Sequence, residues 1–219
     1  MVTVEPGGGQ ASPFARAELV QLFPTCIWVH ELKDPEALNG KLLPAIAALE
    51  RDHPLKGVPQ NAWQSPDDLH QRPDFADFAR LAIGAAHSVF VFLKCRFEEI
   101  YLTSCWANVN RAGHAHHDHT HPNNYLSGVY YAKAPPRSGG IVFTDPRPQA
   151  SVLAPSIEQT TPVTANVHRV EPKAGRMILF HSWLAHSVEA NQSDEERVSI
   201  AFNVMLHGPV GADKARARM

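Results

Sequence analysis

The chain has 219 residues, of which 44% are hydrophobic and 19% charged, and its formal net charge is −2. This length fits one generous domain with a well-buried core, and the near-neutral charge gives no reason to expect a nucleic-acid or membrane partner. Three widely spaced cysteines without a CxxC pair indicate neither a disulfide framework nor a thiolate zinc site. No signal-peptide pattern and no apolar run of membrane-spanning length are seen, so we expect a cytoplasmic protein.

The N-terminal part of the chain is predicted to hold a tail and one strand. Residues 1–17 are rich in Gly, Pro and Ala with little periodicity, and we expect them to form a flexible tail. A strand rich in β-forming residues is predicted over 22–30. A single domain is then expected to occupy residues 18–207.

Two helices are predicted next, within a helical flank over residues 34–95. Apolar residues at helical spacing indicate helices over 35–50, with Asp34 as the cap, and over 73–94. The segment 52–68 between them is rich in proline and is expected to be a loop. Because both helices precede a strand-rich half, we expect them to pack on the outside of a sheet.

From Ile100 the hydrophobic period changes to two, which indicates strands. Short strands with turn signals between them and no intervening helix predict an antiparallel sandwich or jelly roll. The fold class is therefore α+β, mainly β, with a jelly-roll core over 100–207 and a basic C-terminal tail over 208–219. Strands are predicted over 101–110, 125–132, 139–144, 167–170, 176–180, 186–189 and 198–206.

Five of the 13 histidines lie between His114 and His121. Imidazole is the commonest protein ligand for transition metals. In an extended segment, His119 and His121 would point to the same face, and His186 could approach from a facing strand. Such a set would leave adjacent positions open on a metal for substrate and oxygen. The histidine pattern therefore predicts a mononuclear metal site inside a β-barrel.

The other members of the cluster leave one alternative open. His116-His117-Asp118 has the His-x-Asp spacing of the two-His-one-carboxylate site that selects Fe(II), so Asp118 remains a second candidate ligand. We expect His114, His116 and His117 to be loop residues or to support the site from outside.

A second candidate group surrounds Arg197, which opens the last predicted strand and shares a face with Ser199. An inward-facing arginine is costly to bury unless an anion meets it, and its planar guanidinium suits a carboxylate held through two hydrogen bonds. A dicarboxylate could place its far carboxylate there and chelate the metal with its other end. Tyr130 or Tyr131 could add a phenol donor, and Asn108 and Asn110 could line the pocket.

The alternative for Arg197 is a surface ion pair with Glu195 or Glu196. The alternative for Asn108 and Asn110, which lie on the same predicted strand, is to cap the edge of the sheet.

Five motifs follow one another in a fixed order. They are HxHP at His119–Pro122, SGVYY at Ser127–Tyr131, the Ser138–Arg147 segment, the Phe180–Val188 segment and RxSIxFN at Arg197–Asn203. Together they make the chain resemble the 2-oxoglutarate and Fe(II)-dependent oxygenases over roughly 106–206. The resemblance implies an oxidoreductase with a double-stranded β-helix (jelly-roll, cupin-like) core.

By the same resemblance, His119, His121 and His186 would hold Fe(II). Arg197 would bind 2-oxoglutarate with Ser199 beside it. The implied activity is a dioxygenase that uses O2 and converts 2-oxoglutarate to succinate while a C–H bond of a small-molecule or peptide substrate is hydroxylated.

One residue departs from the wider superfamily, whose second ligand is usually Asp or Glu where this chain has His121. Two alternatives therefore stay open: a cupin-like three-His dioxygenase or isomerase that needs no 2-oxoglutarate, and a non-catalytic jelly-roll binding module. The substrate is unknown from the sequence, and a homodimer is an open option on which no pattern bears.

Overall fold

Two antiparallel sheets form the framework of the computed structural model, which describes residues 2–3, 18–54, 62–153, 155–211 and 217–218. The helices are α1 (Glu36–Asp52) and α2 (Ala76–Phe92), with 3-10 turns at Leu69–Gln71, Pro73–Phe75 and Pro148–Ser151. The strands are β1 (Val2–Thr3), β2 (Glu18–Leu19), β3 (Ile27–Glu31), β4 (Ala62–Gln64), β5 (Glu99–Asn110), β6 (His116–His119), β7 (Leu126–Lys133), β8 (Ile141–Thr144), β9 (Val167–Val170), β10 (Arg176–His181), β11 (His186–Val188), β12 (Arg197–His207), β13 (Pro209–Val210) and β14 (Ala217–Arg218).

The larger sheet has the order β3-β10-β7-β12-β5-β4, and the smaller has the order β6-β11-β8-β9. Neighbouring strands in both sheets pair antiparallel, and non-consecutive strands lie side by side, as in a jelly roll. The predicted fold class, a mainly β jelly roll with flanking helices, is confirmed.

Strand β12 determines how the two faces of the larger sheet are used. Val198, Ile200 and Phe202 face the helices and belong to the main hydrophobic core. The Phe78 ring of α2 lies 5.8 Å from the Phe202 ring and 5.6 Å from Tyr130. Because side chains alternate along a strand, Arg197 and Ser199 face the opposite way, between the two sheets. The predicted packing of the helices on the outside of a sheet is therefore correct.

The structure corrects several predicted elements. The first strand of the larger sheet begins at Ile27 rather than at residue 22, and the predicted loop 52–68 contains β4. Asp34 does not cap α1, because Pro35 occupies the N-cap position and no side chain bonds to the first turn. The described parts of the two predicted tails carry β1, β13 and β14; residues 4–17 and 212–216 lie outside the described residues.

One segment, Pro73–Phe92, is long and apolar enough to span a membrane, judged by length and composition alone. This differs from the expectation that no apolar run reaches membrane-spanning length. Five side chains of α2 are buried, namely Phe78, Ala82, Ala86, Val89 and Phe90, and all five join the core against the larger sheet. A core helix with one buried apolar face passes the same length and composition test.

Gly128 of β7 provides a test of this core. A Cβ added there would overlap the buried ring of Phe202, 2.7 Å from its Cε2. We expect Gly128→Ala to lower the free energy of unfolding by about 1–3 kcal/mol, because the ring cannot move within a packed core. Gly40→Ala is the control: it lies in α1 with nothing within 4 Å of the new Cβ, and should raise stability by up to about 1 kcal/mol. Urea unfolding of both variants checks the opposite signs; equal shifts would contradict this packing.

Candidate active site

Three histidines, His119, His121 and His186, meet between the two sheets. Their candidate ligand atoms all lie within 4.8 Å of one another, and in the part of the chain that the structure describes this is the one such group. The ring centroids of His119 and His186 are 4.3 Å apart. The backbone explains the meeting: His186 pairs directly with His119 across β11 and β6, and the backbone N–H of His121 donates to Ser182 O at 2.9 Å.

The hydrogen bonds of two of these rings leave their Nε2 atoms free to bind a metal. His119 Nδ1 lies 2.8 Å from His117 O, and His186 Nδ1 lies 2.9 Å from Leu184 O. Because a carbonyl oxygen only accepts, each Nδ1 carries the hydrogen, and each Nε2 presents a lone pair. A backbone partner of this kind also fixes the orientation of a metal-binding imidazole.

Burial keeps His121 and His186 neutral, which metal binding requires. It lowers the pKa of His121 and of His186 to about 4, with smaller contributions from the neighbouring histidines. The residues present therefore fit a divalent transition metal held by three imidazoles. The alternative ligand Asp118 is exposed and lies outside this group.

Arg197 lies at the other end of the same space and is 1% exposed. Its Nη1 donates to Ser138 O and to Gly139 O, the latter at 2.8 Å, and its Nη2 donates to Asn110 Oδ1 at 3.1 Å. None of these partners carries a charge. Burial lowers the pKa of the guanidinium, because the charged form loses its hydration on leaving water.

The alternative of a surface ion pair does not describe Arg197. Glu195 pairs with Lys133 at 3.1 Å, and Glu196 lies 3.8 Å from Arg111. No carboxylate from the described residues forms an ion pair with Arg197. A buried guanidinium with neutral partners, open to a cavity, is the arrangement expected of an anion site.

A cavity of about 270 Å³ connects the histidines to Arg197. Of the predicted cosubstrate-binding residues, Ser199, Tyr131 and Asn108 line it, whereas Tyr130 does not. Burial raises the pKa of Tyr131 to about 12, so its phenol stays protonated at neutral pH and can donate.

Tyr130 is thereby removed from the predicted set. Its side chain faces the helices, where its hydroxyl donates to Asn39 Oδ1 at 2.7 Å. The reason is the alternation of β7, which sends the two neighbouring tyrosines to opposite faces.

Asn110 also lines the cavity, which is one of the two alternatives that the sequence left open for it. Among the lining residues that sequence reasoning missed are Trp106 and His116. The Trp106 ring lies 5.9 Å from that of His121. His116 pairs with Val188 while His119 pairs with His186, so β6 has three steps where β11 has two. This extra residue is a β-bulge, which turns both His116 and His119 towards the cavity. A strict period of two cannot predict this bulge, although the density of histidines did indicate a site in this segment.

Comparison with known proteins shows what this region resembles. Residues 104–203 match the family model described as "Putative 2OG-Fe(II) oxygenase", and this range contains every residue of the histidine group and Arg197. Together with the solved structures below, this match indicates a 2OG-Fe(II) oxygenase family enzyme. No curated protein matches it.

Several solved structures of 2-oxoglutarate-dependent enzymes and of a prolyl hydroxylase are similar in fold to this chain. The epimerase SnoN from nogalamycin biosynthesis, described as non-heme and alpha-ketoglutarate dependent, has a TM-score of 0.63 at 14% identity, covering 84% of this chain and 77% of that one. A prolyl-4-hydroxylase from Pseudomonas putida has a TM-score of 0.56 at 16% identity, covering 83% and 93%. HygX from Streptomyces hygroscopicus, with nickel and 2-oxoglutarate bound, has a TM-score of 0.57 at 13% identity, covering 82% of each chain.

The pH dependence of stability tests the burial of these histidines. His116, His121 and His186 have pKa values lowered to about 4, whereas a histidine in the unfolded chain titrates near 6.5. Below pH 6.5 the unfolded chain therefore binds more protons, so their contribution to stability is complete above that pH and is lost as the pH falls.

We expect the free energy of unfolding of the metal-free oxygenase to decrease between about pH 6.5 and 5, by up to about 1.4 kcal/mol per pH unit for each histidine. Urea unfolding at several pH values measures it. His186→Gln removes one titrating group and should make the slope shallower. A stability that stays constant over this range would contradict the buried, neutral state.

Proposed function

We propose that this enzyme binds Fe(II) through His119, His121 and His186, and 2-oxoglutarate through Arg197, and that it oxidises a C–H bond of an organic substrate, with hydroxylation as the outcome. The observation that carries the proposal is the presence, in one cavity, of three imidazoles and a buried guanidinium whose hydrogen-bond partners among the described residues are all uncharged. A dicarboxylate that chelates a metal through one end needs a metal site there and a positive charge for its far carboxylate, and these two features supply both.

When bound, Fe(II) and 2-oxoglutarate supply the oxidative chemistry that no side chain offers, with O2 consumed and succinate and CO2 released. The protein's part is to hold and orient. The backbone carbonyls of His117 and Leu184 keep two imidazoles turned towards the metal position. Arg197 balances the charge of the far carboxylate, and the hydroxyls of Ser199 and Tyr131 face the same space as donors.

Apolar side chains line the rest of the cavity and limit the entry of water. Ile141, Phe180 and Val188 line the cavity together with His186, and the Phe180 ring is 4.6 Å from the His186 ring. Exclusion of water strengthens the electrostatic contacts at the site and protects reactive species from side reactions.

Removal of a metal ligand tests the first half of the proposal. We expect His186→Ala to lose Fe(II) binding and all O2-dependent conversion of 2-oxoglutarate, because two imidazoles hold such an ion far less tightly than three. Metal content after purification without a polyhistidine tag and succinate formation are the measurements. His168→Ala, an exposed histidine on β9, is the matched control and should retain metal. Full metal content in His186→Ala would exclude this ligand set.

Removal of the guanidinium tests the second half. Arg197→Ala should weaken 2-oxoglutarate binding by at least about 30-fold, because truncating one partner of a buried charge pair costs about 2–5 kcal/mol. Fe(II) binding should be unchanged. The control is Arg147→Ala, since Arg147 is largely exposed and pairs with Asp145 at 2.7 Å. Titration calorimetry of the Fe(II)-loaded enzyme without O2 measures both effects.

The same titration separates the alternative without 2-oxoglutarate, which the third histidine leaves open. A wild-type protein that binds Fe(II) at the three histidines and consumes O2, but neither binds nor converts 2-oxoglutarate, would be a cupin-like three-His enzyme. The buried Arg197 favours the use of a dicarboxylate.

A further inference from the structure

Two histidines of the cluster, His114 and His116, have no part in the three-His group. They lie instead at the Arg197 end of the cavity, where both contact Asn110. The Asn110 Nδ2 atom is 2.9 Å from His114 Nδ1, and its Oδ1 atom is 3.4 Å from His116 Nε2. The two imidazole rings touch at a centroid distance of 4.8 Å.

The direction of each hydrogen bond in this group follows from Arg197. A guanidinium has donors and no acceptor, so Asn110 must present its oxygen to Nη2. The Asn110 nitrogen then faces His114, whose Nδ1 must be an acceptor.

By the same logic His116 must donate its Nε2–H to the asparagine oxygen. One amide is thus held in a single orientation by three partners, and it is 2% exposed.

The remaining donors of Arg197 define where a ligand can bind. Both hydrogens of Nη1 are used by the carbonyls of Ser138 and Gly139, and one hydrogen of Nη2 is used by Asn110. The Nε–H makes no hydrogen bond to the described residues, and Nη2 carries a second hydrogen besides the one that Asn110 accepts. Nε and Nη2 lie on one edge of a guanidinium, from which a carboxylate can accept through both oxygens.

We propose that Asn110, oriented by His114, is the positioning residue that keeps this free edge of Arg197 turned to the cavity and its charge available to the cosubstrate carboxylate. The inference rests on the proposed function. Its second element is the neutrality of Asn110: a carboxylate at the same place, 3.1 Å from Nη2, would satisfy the guanidinium from within the protein. The site would then lose most of its attraction for an external anion.

Two variants of Asn110 separate position from charge. In the Fe(II)-loaded enzyme without O2, Asn110→Ala should weaken 2-oxoglutarate binding about tenfold, because it frees the guanidinium. Asn110→Asp should weaken it more, by at least about 100-fold, although it is nearly isosteric. Fe(II) affinity should stay at the wild-type value in both, since neither contacts the three-His group. A merely structural role would lower Fe(II) and 2-oxoglutarate affinity together.

His114 gives an independent test, because it does not line the cavity. His114→Ala removes the acceptor that orients the amide, and should weaken 2-oxoglutarate binding several-fold without changing Fe(II) affinity. His114→Gln restores an acceptor oxygen and should recover at least half of that loss in free energy. His168→Ala is again the control for removal of an imidazole. This pair decides the matter if the Asn110 variants fail to fold.

The outcomes are distinguishable from failure of the proposed function. If the wild-type protein binds no 2-oxoglutarate, the proposed function is wrong. If the wild-type protein binds it and Asn110→Asp and His114→Ala bind it equally well, only the positioning role is overturned. Equal losses for His114→Ala and His114→Gln would also overturn it, because the acceptor would then be irrelevant.

Discussion

The buried charge of Arg197 is the constraint on which the arrangement of the site depends. Moving a guanidinium out of water costs several kcal/mol, and its protein partners here are two carbonyls and one amide, none of them charged. The segment after β7 must bring the Ser138 and Gly139 carbonyls to Nη1. Gly139 adopts φ +83°, and a Cβ there would lie 2.8 Å from the carbonyl oxygen of Ala190. The conformation of this loop therefore places two carbonyl oxygens at Nη1 of Arg197. The positive charge, which none of these partners neutralises, faces the cavity.

The same constraint explains why β12 is buried on both faces. Its apolar residues complete the core beneath the helices, and its polar residues, Arg197 and Ser199, form one wall of the cavity. The facing wall is the smaller sheet with the histidines. Asn191 contacts both ends of the turn between β5 and β6. Its side chain donates to Asn110 O at 2.9 Å, and its backbone N–H donates to His114 O. The turn that precedes the histidine cluster is thus fixed relative to the strand that carries the arginine.

Much of this was readable from the sequence because it follows simple periods. Strict alternation predicted β12 and the inward direction of Arg197, and the spacing of His119 and His121 predicted two imidazoles on one face. The fold class followed from short strands with turns between them. These are local patterns that packing on two faces reinforces rather than overrides.

What could not be predicted depends on irregular or long-range geometry. The bulge in β6 changes the face to which His116 points, and no local pattern marks it. The choice between Tyr130 and Tyr131 required knowing which face of β7 meets the helices. The three-residue strand β4 forms by pairing with the edge of β5, whereas its own sequence is typical of a loop. In each case the partner strand supplies the information.

The most direct test of the account is a crystal structure of the enzyme with Fe(II) and 2-oxoglutarate bound in the absence of O2. We expect anomalous density for iron bonded to Nε2 of His119 and of His186 and to one ring nitrogen of His121, with the far carboxylate of the dicarboxylate at Nε and Nη2 of Arg197. Iron bonded to Asp118 or His116, or a dicarboxylate that leaves Arg197 without an anion, would contradict it.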